Sequence, residues 1–191
     1  MLSSKGGQTA RPSESRRSRL LGLLRQQAVV HGATQLASGA KSDIYFDLRI
    51  STLDPESSDL IASEFLEILN SEGIELVGGL EVGAVPIISS VVTKSVHECP
   101  VKGFFVRKAV KEHGTRKRIE GNFDPTKKIA LLDDVTTSGG SVLQAAQVVR
   151  EQGGQVAMVL TIVDREEGAR GNLHNEGIEL RALFTKSDFR S

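Results

Sequence analysis

Apolar positions along the chain fall into two alternating patterns. Leu20, Leu21, Leu23 and Leu24 begin a first short predicted helix. Ile61, Phe65, Ile68 and Leu69 recur at helical spacing behind Pro55, with Gly73 suited to the far end. Residues 83–98 read as helical with Pro86 near the start, and Val142, Ala146 and Val149 trace a further face ending near Gly153 and Gly154. Between these lie short β-like runs: the β-formers Ile44, Tyr45 and Phe46, then 75–79, 101–106, 129–132, 156–163 and 178–184. Several are apolar throughout, as strands buried on both faces are. Such strands alternating with helices predict an α/β fold with a central parallel sheet flanked by helices. In that architecture ligands bind beyond the carboxyl ends of the strands, which directs attention to the residues there.

Composition narrows the picture. A length of 191 residues fits a single domain, placed at 20–191. Residues 1–19 carry Lys5, Arg11, Arg16, Arg17 and Arg19 against Glu14 and read as a flexible tail. A transit peptide is the rival reading, but no apolar face interleaves the arginines before Leu20. Formal net charge is zero, so no whole-molecule attraction to nucleic acid or an anionic membrane is implied. No apolar run approaches the roughly 20 residues of a membrane span. The lone Cys99 allows no intrachain disulfide, which fits a reducing, cytoplasmic setting. His31, His97 and His174 form no recognisable metal constellation.

The strongest local signal is IALLDDVTTSGGSVLQAA at 129–146. An apolar strand runs into Asp133 and Asp134; a hydroxyl- and glycine-rich turn follows, and a helix begins. Thr137, Ser138, Gly139, Gly140 and Ser141 thus stand at a helix N-terminus, where unpaired N–H groups and the helix dipole favour an anion such as a phosphate monoester. An ordinary helix cap would explain one hydroxyl, not this cluster behind paired acids. The carboxylates suit a sugar diol, and would favour positive charge developing on a sugar ring. There is no GxxxxGK[ST] pattern, and GGLEVG at 78–83 is not GxGxxG. Between Lys102 and Arg118, seven Lys/Arg residues stand against Glu112. Alone, that segment reads equally as a cover for a polyanion or as a solvated or RNA-binding patch.

LLDDVTTSGGS resembles the PRPP-binding signature of type I phosphoribosyltransferases (PRPP, 5-phosphoribosyl 1-diphosphate), and R-K-x-x-K-x-H-G at 107–114 is similar to the catalytic loop of the orotate enzymes in that family. SGAKSDIYFDLR at 38–49 resembles their N-terminal hood segment, and IVDREEGAR at 162–170 their base-binding segment. The likeness covers nearly the whole chain from Leu20. It implies a small hood built partly from 20–50, ribose contacts at Asp133 and Asp134, and a phosphate loop over Val135, Thr136 and residues 137–141. It further implies diphosphate contacts at Arg107, Lys108, Lys111 and His113, with Lys111 as the catalytic lysine. Orotate would meet Thr137, Arg165 and Phe46. A surface ion pair of Arg165 with Glu166 or Glu167 is the competing reading of that arginine. A homodimer is implied, the basic loop reaching the neighbouring site. Ala37 and Gly83 stand where some members carry lysine. Mg²⁺ is expected through the substrate phosphates and water, with no direct protein ligand. The implied reaction is orotate plus PRPP giving orotidine 5′-monophosphate and diphosphate, in pyrimidine biosynthesis. Two alternatives stay open: transfer to another base, and a PRPP-sensing regulator that binds RNA or DNA.

Overall fold

In the computed structural model the described residues are 12–35, 41–97, 99–109 and 117–190. Helix α1 (Pro12–Gln27) leads into the antiparallel pair β1 (Val29–Gln35) and β2 (Lys41–Phe46), then the short helix α2 (Leu48–Thr52) and the long α3 (Pro55–Ser71). There follow β3 (Leu76–Gly78), α4 (Ala84–Lys94), β4 (Lys102–Val106), β5 (Ile119–Gly121), β6 (Lys128–Thr136), α5 (Gly140–Glu151), β7 (Gln155–Asp164), α6 (Ala169–Asn175) and β8 (Glu179–Thr185). The main sheet has the order β5-β4-β3-β6-β7-β8. Its pairings are parallel except β4 with β5, so the sheet is mostly parallel with an antiparallel edge.

Strand β6 shows why the central run is apolar throughout. Ala130 and Leu132 pack on the face covered by α1, α3 and α4, while Ile129 and Leu131 pack on the face covered by α5 and α6. Successive strand residues point to opposite faces, and both faces here are covered. Helix α3 starts where the sequence places it: the Asp54 carboxylate accepts the Ser57 N–H at 2.9 Å, and Pro55 occupies the first turn. Gly73, at φ +62°, then takes the left-handed conformation just past its end.

The N-terminal boundary differs from expectation. Helix α1 begins at Pro12, so residues 12–19 of the expected tail are helical; residues 1–11 lie outside the described residues. Arg16 pairs with Glu64 and Glu67, and Arg19 with Glu56, all on α3. Arg17 donates to the Leu183 carbonyl and Arg25 to that of Asp188. These partners are distant in sequence, so local pattern gave no reason to extend the helix. The α4 region is shorter than predicted: the helix stops at Lys94 and a 3₁₀ turn covers Ser95–His97. Strands β1 and β5 and helices α2 and α6 were not anticipated. The last three are too short to show a period, and β1 carries His31, Gly32 and Thr34 among its apolar residues.

The β1–β2 pair, α1 and α2 form a hood beside the carboxyl end of the sheet. Its root is fixed where the Asp47 N–H donates to the Ala28 carbonyl at 2.9 Å. Phe46 packs edge-on against Phe189 with centroids 5.0 Å apart, tying the hood to the C-terminal 3₁₀ turn at Lys186–Phe189.

Candidate active site

A cleft of about 480 Å³ opens where β6 ends. The hood contributes Tyr45, Phe46, Asp47 and Arg49, the turn after β3 contributes Glu81 and Gly83, and Lys108 stands beyond β4. Asp133, Asp134, Val135 and Ser141 complete the wall. Close packing presses the β3 turn onto β6. A side chain at Gly79 would put its Cβ 2.5 Å from the Leu132 carbonyl oxygen, and one at Gly83 would put it 2.9 Å from Asp134 Oδ1. Only hydrogen fits at Gly79, and at Gly83 the turn borders Asp134 directly.

The acids are held by their own backbone. Asp133 Oδ1 accepts the Asp134 N–H at 3.1 Å, and Asp134 Oδ1 accepts the Val135 N–H at 2.8 Å. Thr161 Oγ1 on β7 donates to the Asp134 carbonyl at 3.3 Å. Asp133 is buried, and that burial, reinforced by the neighbouring Asp134 charge, pushes its carboxyl well above the usual carboxylate range. Lys108, which lines the same cleft, opposes the rise.

The loop after β6 has the predicted form. Gly139 is left-handed at φ +85° and precedes α5, whose first turn closes with Leu143 N–H on the Gly139 carbonyl at 2.9 Å. The N–H groups just before that bond have no helical partner and are free to face an anion. The unanticipated α6 braces the outside of the loop: Ala169 N–H donates to the Thr137 carbonyl at 3.1 Å and Asn172 Nδ2 to the Ser138 carbonyl at 2.9 Å.

No protein-family model matches the chain. It is 43% identical over 178 residues to the orotate phosphoribosyltransferase of Bradyrhizobium sp. (strain ORS 278), covering 91% of this chain and 96% of the relative. It is 37% identical to that of Methanosarcina mazei over 188 residues, 98% of each chain. The chain belongs to the orotate phosphoribosyltransferase family. Among solved structures, the orotate phosphoribosyltransferase of Mycobacterium tuberculosis H37Rv, in complex with Fe(III) dicitrate, superposes with a TM-score of 0.82 at 35% identity. That alignment spans 92% of this chain and 99% of the other.

Several residues that the family motif singles out meet in the cleft: Asp133, Asp134, Val135, Ser141, Lys108 and Phe46. Phe46 is 6% exposed and takes part in the core as well as the wall. Arg107 lies at the rim of the sheet, with Nε 3.2 Å from Glu120 and a guanidinium nitrogen 3.9 Å from Glu81. Arg165 is not among the residues that line this cleft. It is buried at the end of β7, its N–H donates to the Thr136 carbonyl at 2.9 Å, and its guanidinium pairs with Glu167 at 2.9 Å. The ion pair of the competing reading is therefore present with Glu167, but on a buried arginine and not at the surface. Lys111 and His113 lie outside the described residues. Sequence reasoning did not name Tyr45, Asp47, Arg49 or Glu81 as cleft residues. The first three adjoin Phe46 in the hood segment, which was signal enough to include them; nothing local marked Glu81.

Proposed function

We propose that this chain transfers the phosphoribosyl group of PRPP to orotate, giving orotidine 5′-monophosphate and diphosphate. The observation that carries the reading is the join of a glycine-led helix N-terminus to a pair of adjacent acids, Asp133 buried and Asp134 half-buried, within one cleft. The loop of residues 135–141 would hold the 5-phosphate through backbone N–H groups and hydroxyls. Asp133 and Asp134 would accept the ribose hydroxyls. As the bond to diphosphate lengthens, the ribose carbon takes on oxocarbenium character, and the adjacent acids stabilise it. The base nitrogen attacks that carbon, with catalysis supplied by positioning and electrostatics and no covalent enzyme intermediate.

Lys108 and Arg107 are proposed to face the diphosphate, joined by Lys111 and His113, with Lys111 stabilising charge on the leaving group. Thr137, Phe46 and Arg165 are proposed for the base. An arginine suits the planar carboxylate of orotate, and Arg165 is joined to the phosphate loop through the Thr136 carbonyl. For that role Arg165 must exchange Glu167 for the substrate carboxylate. Mg²⁺ would ride on the diphosphate with its water shell, offsetting the diphosphate charge, and the hard oxygens of Asp133 and Asp134 suit those waters. The proposed assembly is a homodimer and the proposed setting the cytoplasm. Among the described residues no helix is long and apolar enough to cross a membrane.

The test is a spectrophotometric assay of purified protein with PRPP and Mg²⁺, offering orotate, uracil and adenine in parallel. Orotate consumption dependent on both PRPP and Mg²⁺ is the expected result. Turnover of another base instead would overturn the base assignment, and PRPP binding with no turnover of any base would overturn the enzyme reading.

A further inference from the structure

Glu81 sits in the turn after β3, yet its polar contacts reach across to the strand beside it. Its N–H donates to the Val106 carbonyl at 2.8 Å, continuing the line of β4. Its Oε1 accepts the backbone N–H of Lys108 at 3.0 Å, and its Oε2 lies 3.9 Å from the Arg107 guanidinium. Main chain and side chain together therefore hold the segment leaving β4 as it enters the cleft. A bond to a backbone N–H constrains the direction of the chain itself, not one rotamer of a flexible side chain. The carbonyl of the same residue, Lys108, accepts from Gln144 Nε2 on α5 at 3.5 Å. Lys108 is thus held between the β3 turn and the helix that carries the phosphate loop.

The charge of Glu81 does not account for this arrangement. Arg107 already has Glu120 at 3.2 Å, so its longer contact to Glu81 adds little. A carboxylate lining a cleft for a polyanion also repels the incoming diphosphate. What Glu81 supplies is an acceptor oxygen at a fixed reach.

We infer that Glu81 is a positioning residue for the proposed reaction: its side-chain oxygen fixes the main chain at Lys108 so that the Lys108 ammonium is presented to the diphosphate. The inference rests on the reading of this cleft as a PRPP site.

Two substitutions separate reach from charge. Glu81→Gln keeps an acceptor oxygen at the same distance and removes the charge, whereas Glu81→Asp keeps the charge and withdraws the oxygen by one methylene. KM for PRPP, KM for orotate, kcat and Tm are measured for both beside the parent protein. Glu81→Gln is expected to hold kcat, with KM for PRPP at or below the parent's. Glu81→Asp is expected to raise KM for PRPP about tenfold, with KM for orotate and Tm near the parent's. The reverse order, or both variants within about twofold of the parent in KM for PRPP, overturns the role of Glu81. An inactive parent takes down the reaction and this inference together, so the two failures are told apart by the parent assay.

Discussion

Folding raises the Asp133 carboxyl well above the usual carboxylate range, first through burial and then through the Asp134 charge. The folded protein therefore retains a proton that the unfolded chain releases, and stability falls as pH rises between the unfolded value and the raised one. Asp133→Asn removes that titration. Its Tm should exceed the parent's at pH 7, by about 2–4 °C for each kcal/mol relieved, and the gap should close toward pH 3. Turnover should fall about a hundredfold as the carboxyl proposed to accept the ribose hydroxyls is lost. Equal Tm values at both pH values would refute the strain ascribed to Asp133. Arg165 offers a different test. If it leaves Glu167 to bind the base, Arg165→Ala should raise Kd for orotate about tenfold or more and Kd for PRPP far less. Titration calorimetry of each ligand reads this, and equal weakening of both removes Arg165 from the base site. The adjacent acids were legible in sequence because they end an apolar run. The burial of Arg165 was not, because an arginine beside Glu166 and Glu167 reads locally as a surface residue.

Elements with local stop and start signals came through the sequence intact. Helix α3 is bounded by Asp54 and Pro55 at one end and Gly73 at the other, and α5 by Gly139 and the Gly153–Gly154 pair. The Asp54 cap carries its own pH signature. Its carboxyl is held below the usual range, chiefly by the Ser57 N–H, so the stability it contributes is present above the unfolded value and lost as pH falls through the lowered one. Asp54→Ala should lower Tm at pH 7, and the difference from the parent should shrink toward pH 2 in calorimetric scans. A difference that stays constant over that range would assign the loss to something other than the cap. Helix α6 illustrates what an element can do unannounced. Its seven residues are too few to display a period, yet they brace the loop after β6 through Ala169 and Asn172. Helix α1 makes the same point at the other end, since its first turns are polar and find their partners far along the chain, on α3 and at the Leu183 carbonyl of β8.

At the scale of the molecule, the hood leaves apolar side chains facing outward. Ile50 is 54% exposed and Leu53 73%, within and just after helix α2 beside the cleft. The proposed homodimer would give such residues a surface to bury, as oligomer interfaces do. Sedimentation velocity at micromolar concentration should therefore give about twice the chain mass of 20.6 kDa, and a species at the chain mass would refute the dimer.

The sequence by itself determined the layered α/β architecture, because strands buried on both faces must be apolar at every position and helices covering them must repeat every three to four residues. It also determined the loop proposed to hold the phosphate, whose glycines, hydroxyls and acids are contiguous. Only the tertiary structure decided what meets that loop. Tyr45, Asp47 and Arg49 come to the cleft from the hood, Glu81 from the turn behind β3 and Lys108 from beyond β4. Their separation in sequence exceeds any helical or strand period, so local pattern holds no record of their meeting. The antiparallel edge strand β5 and the helical start at Pro12 were settled the same way, by pairing with β4 and ion pairs to α3.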